Sequence, residues 1–212
     1  MPPRSLPGAS DPLAAPSDWY VLVELAGASS DGGLDDALEA ILGAAVEEGL
    51  ALDAAIAGSP AQRSALWALR EGISEAQKVE GATLKHDVTL PIADLASWAT
   101  SIGPVLDKIL PGVRPVTYGH VGDGNLHYNL SAPASPTGDD DLRAAAADLS
   151  TAIYDSVAAG HGSISAEHGL GRTKAVAGAS YKSEVEVDLM RAIKAALDPA
   201  GLMNPGVLLP PA

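Results

Sequence analysis

The stretch Thr117-Tyr-Gly-His-Val-Gly-Asp-Gly-Asn-Leu-His-Tyr-Asn129 decides how this chain reads. Asp-Gly is the dipeptide preferred for a two-residue type I′ hairpin turn, because both central positions need φ > 0. With Asp123-Gly124 as that turn, Gly122 opposes Asn125, Val121 opposes Leu126 and His120 opposes His127. Directly opposed side chains on one face of a hairpin have Cβ atoms about 4.5–5.5 Å apart. Two imidazoles so placed can chelate one divalent ion. The strand period of two puts Tyr118 and Asn129 on the same face. A helix would align the histidines as well, but Gly122 and Gly124 argue against one. On these residues alone the alternative stays open, that two histidines merely decorate a hairpin. The pair still needs a third ligand.

Outward from the hairpin, apolar periodicity alternates between strand and helix. Trp19–Ala26 is a β-rich run closed by Gly27, and residues 34–50 carry apolar side chains at helical spacing. A short strand is expected near Leu52–Ala57 and a helix over Pro60–Val79. A strand follows over Thr83–Leu90, then a helix over Pro91–Leu110, both helices opening on proline. Beyond the hairpin come an Ala-rich helix over Asp139–Ala159, a glycine-rich loop over Gly160–Gly171 and a last helix over Glu184–Leu197. Residues 1–17, rich in Pro, Ser and Ala, read as a disordered tail, leaving one domain over 18–212. Strands separated by helices, with one tight hairpin, predict an α+β fold: a mainly antiparallel sheet covered by helices.

The loop Gly160-His-Gly-Ser-Ile-Ser-Ala-Glu-His-Gly-Leu-Gly-Arg172 is a phosphate loop only superficially. No Lys-Ser/Thr follows its glycines, and no strand-to-helix G-x-G-x-x-G is present. It offers Glu167 beside His168. In extended backbone, adjacent side chains point to opposite sides. Glu167 would thus complete a His₂-carboxylate set with open positions, while His168 faces a reactant as a base. The alternative is a flexible loop with a surface Glu-His. His161 is expected in solvent and His86 in packing.

The chain has 212 residues, with 13 Lys+Arg against 27 Asp+Glu, a net charge of −14 and no cysteine. That balance excludes a general nucleic-acid binder, which needs a basic face. Lacking cysteine, the chain has no disulfides, no thiolate nucleophile, no Cys-ligated zinc and no iron–sulfur cluster, so any metal must use His and carboxylate. No apolar run approaches the roughly 18 residues of a membrane span, and no secretory signal is read at the N-terminus. In so acidic a chain, Arg70 and Ser74, four apart on one helical face, and Lys85 on the next strand are candidates for holding an anion. Both cations can equally be surface charges with the acidic neighbours Glu71 and Asp87.

Taken together, these segments resemble the C-terminal substrate, or cap, domain of FAD-linked oxidases of the vanillyl-alcohol-oxidase type. Within that group they are most similar to the D-2-hydroxy-acid dehydrogenases, which act on D-2-hydroxyglutarate, D-lactate and glycolate. The stretches that carry the resemblance are VLVELAG (21–27), LWALREGISEA (66–76), LKHDVTLP (84–91), YGHVGDGNLHYNL (118–130), GSISAEHGLGRTK (162–174) and LDPAGLMNPG (197–206), in the family's order. The resemblance implies a ferredoxin-like cap. It implies a divalent metal, zinc or manganese, on His120, His127 and Glu167, with His168 as base. It places substrate-binding roles on Arg70, Ser74, Lys85 and Asn129, and a flavin contact on Asn204. The implied reaction is oxidation of a D-2-hydroxy acid to the 2-oxo acid, with hydride passing to FAD.

Members of that family carry an FAD-binding domain of roughly two hundred residues with no counterpart in this sequence, and the match begins inside the cap, as if truncated on its N-terminal side. Val207 stands where a lysine often follows the family's Asn-Pro-Gly. The expected partners are therefore a small 2-hydroxy acid, a flavin-binding domain or subunit and an unidentified electron acceptor, with a homodimer open. The isolated chain is expected to bind FAD weakly or not at all. The expected setting is the cytoplasm, with a peripheral membrane association open. Two other functions compete: a stand-alone metal-dependent hydrolase or lyase, and a catalytically silent, metal-binding remnant.

Overall fold

The computed structural model describes residues 10–27 and 33–210. They form two compact units, divided between Glu80 and Gly81. Of the tail expected over 1–17, residues 1–9 lie outside the described residues, and 10–17 run without helix or strand.

Among its described residues the first unit holds the helices α1 (Gly33–Glu47), α2 (Pro60–Glu71) and α3 (Ile73–Lys78). Ser59 starts α2 by accepting the Gln62 N–H at 3.3 Å, with Pro60 at the first helical position, where a missing N–H costs nothing. The single helix expected over 60–79 is broken after Glu71, and Gly72 links α2 to α3. The strands expected at Trp19–Ala26 and Leu52–Ala57 are absent among the described residues, and both segments run as irregular backbone. β propensity alone does not make a strand. Its N–H and C=O groups need a neighbouring edge, and no strand is described in this unit.

The second unit carries an open antiparallel sheet with helices, the α+β class expected. Its strands are β1 (Thr83–Leu84), β2 (Asp87–Thr89), β3 (Arg114–His120) and β4 (Asn125–Ser131). β4 is central: β3 pairs along one edge, and β1 and β2 share the other end to end. The strand expected over 83–90 is thus interrupted at Lys85 and His86. The Asn129 side chain spans the gap by accepting the His86 N–H at 3.2 Å.

Alternation along β4 gives the sheet two faces. Leu126, Tyr128 and Leu130 join Val88 on the apolar face. Against it lie Leu95, Trp98, Ile102 and Leu106 of α4 (Leu95–Ile109) and Leu142, Leu149, Ile153 and Val157 of α5 (Gly138–Ala159), each set at helical spacing. His86 belongs to this side, as expected of a packing residue. Its Nδ1 lies 3.0 Å from the Tyr128 carbonyl and its Nε2 3.0 Å from the Ser150 hydroxyl. Two helices complete the unit, α6 (Ala175–Ser180), which sequence periodicity missed, and α7 (Glu184–Leu197). The start of α7 is a reciprocal cap, with Glu186 N–H on Ser183 Oγ and Ser183 N–H on Glu186 Oε2.

The hairpin corrects the expected register. His120 pairs with Asn125 and Tyr118 with His127, so four residues, not two, form the connection. A type I′ turn would need Asp123 in the left-handed region, which is costly for a residue with a Cβ. Only Gly124 adopts it, at φ 73, while Val121–Asp123 form a 3₁₀ turn. The Asp123 carboxylate instead accepts the Asn125 N–H at 3.0 Å. His120 and His127 still share a face, but diagonally, one pair apart.

Candidate functional site

The second face of the sheet is polar. Across it runs the row Asp87, His127, Tyr118, from β2 through β4 to β3. The next row is Thr89, Asn125, His120. The glycine-rich loop is tied to this sheet at its edge, where Thr89 and Ser163 exchange two backbone hydrogen bonds of 2.9 and 3.0 Å. Gly162 is required at that seam, since a Cβ there would sit 2.1 Å from the Thr89 carbonyl oxygen.

Asp87 then organises the loop's apex. Its Oδ2 accepts the successive backbone N–H groups of Ala166, Glu167 and His168 at 3.1, 3.0 and 3.1 Å. Burial works to raise the pKa of this carboxyl. The His168 and Glu167 N–H groups, with the nearby His168 and His127 rings, outweigh that and hold it below the usual range. Lys174 lies close by and donates to the Ile164 carbonyl at 3.2 Å. Its pKa is lowered by burial, against the opposing pull of Asp87.

The loop thereby brings His168 over His127. Their rings stack, with centroids 5.5 Å apart and planes 17° from parallel. Each ring lies between two carboxylates. On one side, Asp87 stands 3.6 Å from His127 Nδ1 and 3.5 Å from His168 Nδ1. On the other, the single atom Glu167 Oε1 is 3.4 Å from both Nε2 atoms. Tyr118 packs on the outer side of His127 at 4.9 Å between centroids. The His127 side chain is only 14% exposed, whereas that of His168 is 63% exposed and that of Glu167 51%.

This donor set fits a divalent cation. Two ligands each about 2.1 Å from a tetrahedral ion stand about 3.4 Å apart, the spacing of Glu167 Oε1 from His127 Nε2 and long for a direct N–H···O bond. Ligand atoms of Asp87, His127 and His168 also lie within 4.8 Å of one another. His127 and Glu167 meet, but His168 turns to the same side as Glu167 and not to the opposite side expected of adjacent residues in extended backbone, because the Ala166–His168 N–H groups curl round Asp87. Asp87, which the sequence named only as a neighbouring acid, joins them.

The remaining candidates are placed differently. His120 is exposed at the end of β3, on the His127 face but opposite Asn125. Asn129 is buried on β4, holding the His86 amide. Lys85 is exposed in the interruption between β1 and β2. Arg70 ends α2 and Ser74 lies in α3, both in the first unit. Asn204, at φ 49, lies in a C-terminal tail organised by Asp198. Asp198 accepts the Leu202 and Met203 N–H groups at 3.0 and 2.8 Å and pairs with Lys194. The tail returns to the histidine loop through the Leu208 N–H, 2.9 Å from the Gly171 carbonyl. His161 is exposed, as expected.

The model of the C-terminal domain of FAD linked oxidases matches residues 4–208. A mitochondrial D-2-hydroxyglutarate dehydrogenase of Arabidopsis thaliana is 37% identical over 97% of the chain, which covers 35% of that protein. The rat protein of the same name is 40% identical over 92% of the chain and 35% of its own length. A D-2-hydroxyglutarate dehydrogenase of Xanthomonas citri pv. viticola is 37% identical, with coverages of 95% and 42%. The chain therefore spans between about a third and two-fifths of the length of these relatives. No helix among the described residues is long and apolar enough to cross a membrane.

Proposed function

Because the chain belongs to the FAD-linked oxidases, matching their C-terminal domain, we propose that it is the substrate- and metal-binding part of an FAD-dependent dehydrogenase converting a D-2-hydroxy acid to its 2-oxo acid. The observation that carries this reading is the pair of stacked imidazoles held between Asp87 and Glu167, one buried and one exposed. In this reading His127 and Glu167 hold a divalent cation, zinc or manganese, with His120 as third ligand from the same sheet face. A metal held there would supply polarisation of the substrate's 2-hydroxyl, and the acceptor for the C2 hydride would be a flavin held mostly outside this chain.

His168 is the base. Its exposure lets a substrate hydroxyl reach Nε2, and the carboxylate beside Nδ1 favours the imidazolium formed when that proton arrives. Arg70 and Ser74, and separately Lys85, are proposed to bind substrate oxygen atoms, a role supported by the family motifs, whereas Asn129, named with them from the same motifs, is buried and holds the His86 N–H. Arg suits a carboxylate because its fork donates two parallel hydrogen bonds. Asn204 is proposed as a flavin contact on the same basis. D-2-hydroxyglutarate is the acid favoured by the relatives' names. Cytoplasmic placement belongs to the same proposal, and cell fractionation tests it.

The test is dye reduction by the chain with zinc or manganese and D-2-hydroxyglutarate or D-lactate, with and without a flavin-binding partner polypeptide. Reduction only with the partner, abolished by His168→Gln, is expected. Partner-independent hydrolysis or dehydration would overturn the reading in favour of a hydrolase or lyase, and silence with retained metal would overturn it in favour of a remnant.

A further inference from the structure

One group at the site belongs to none of these roles. Asp87 is a carboxylate with a 5% exposed side chain, set at the floor of the imidazole pair. Its Oδ2 is occupied by three backbone N–H groups from a loop some eighty residues further along the chain. Its Oδ1 is buried and accepts no hydrogen bond, and it faces the Nδ1 of His127 at 3.6 Å. A buried acceptor without a donor is costly. A protonated Nδ1 opposite it lowers that cost through its positive N–H dipole, the 3.6 Å separation being too long for a hydrogen bond. A neutral imidazole that carries its proton on Nδ1 presents a bare lone pair on Nε2.

We infer that Asp87 is the positioning residue of this site: it sets the backbone of Ala166–His168 with one oxygen and, with its charge, holds His127 and His168 in the Nδ1–H form, so that both bare Nε2 atoms converge on Glu167. This deepens the metal-centre reading and rests on it for the role of the bare nitrogens. Asp87 serves in this way rather than as a metal ligand. Its Oδ2 is saturated by N–H groups, and its side of the rings is closed. A site that admits substrate needs open positions, and the exposed side is that of Glu167 and His168. A carboxylate behind a ligating imidazole fixes both ring orientation and tautomer.

The experiment is long-range proton–nitrogen NMR on the metal-free 212-residue chain labelled in its histidine rings, at pH 8, where ordinary imidazoles are neutral. The spectra are read for the wild type, Asp87→Asn and Asp87→Ala, with zinc titrated into each. The wild type is expected to show Nδ1–H at both His127 and His168. Asp87→Asn turns an N–H₂ donor towards the ring, so His127 is expected to move to Nε2–H and zinc affinity to fall about 10- to 100-fold. Asp87→Ala is expected to cut amide-exchange protection of residues 166–168 about tenfold or more. Nε2–H in the wild-type rings would overturn the inference without reference to any variant. Unchanged tautomers and zinc affinity in Asp87→Asn would do so as well. If the wild type binds no zinc yet shows Nδ1–H rings that Asp87→Asn reverses, the metal reading falls and the positioning role stands.

Discussion

Replacing Gly162 by alanine tests how the histidine loop is held. An alanine Cβ there would lie 2.1 Å from the Thr89 carbonyl oxygen and 2.8 Å from Val157 Cγ1, so the loop must move away from β2. Moving it breaks the Thr89–Ser163 pair of hydrogen bonds. At about 0.5–1.5 kcal/mol each, these contribute about 1–3 kcal/mol. The crowding against Val157 adds about 1–3 kcal/mol, for a total of about 2–6 kcal/mol. With a urea slope of about 2 kcal/mol per molar, the midpoint should fall by at least about 1 M. Gly122→Ala is the control, because a Cβ at Gly122 meets nothing within 4 Å, and it should stay within about 0.5 kcal/mol. Zinc titration should show Gly162→Ala weakened and Gly122→Ala unchanged. Equal urea midpoints for the two variants would refute the claim that the loop is seated by this seam.

Two further outcomes follow from the packing. Ser183→Ala removes the reciprocal cap of α7 and should cost about 1 kcal/mol, read as a lower melting temperature. His86, whose pKa burial pushes from 6.5 down to about 4 against the opposing Tyr128 hydrogen bond, stays neutral in the fold. Between those values the unfolded chain binds the extra proton, so stability present above pH 6.5 is lost as pH falls towards 4, by about 3 kcal/mol. Urea unfolding across that window should be flatter for His86→Gln, and an identical slope in both proteins would contradict the assignment.

What the sequence disclosed was local. The last helix is legible at its observed bounds, Glu184–Leu197, and α4 and α5 to within a few residues of theirs. The hairpin was found from its glycines and histidines, yet its register slipped, because the Asp123 side chain caps Asn125 instead of entering a left-handed turn. The broken strand at Lys85–His86 was hidden, since it depends on Asn129 more than forty residues away. The same distance hid Asp87, whose partners are a loop some eighty residues on. A signal was available: a carboxylate inside the expected strand Thr83–Leu90 is buried if the strand is, and a buried charge demands partners. Trp19–Ala26 erred the other way, with propensity for a strand and no edge to pair with.

The central claim is that His127 and Glu167 hold one divalent ion on the open side of the sheet. Calorimetric zinc titration of the chain, its His127→Ala variant and its Glu167→Gln variant measures it most directly. One ion per wild-type chain, with binding lost in His127→Ala and weakened in Glu167→Gln, is the predicted result. Equal stoichiometry and affinity in all three proteins would contradict it.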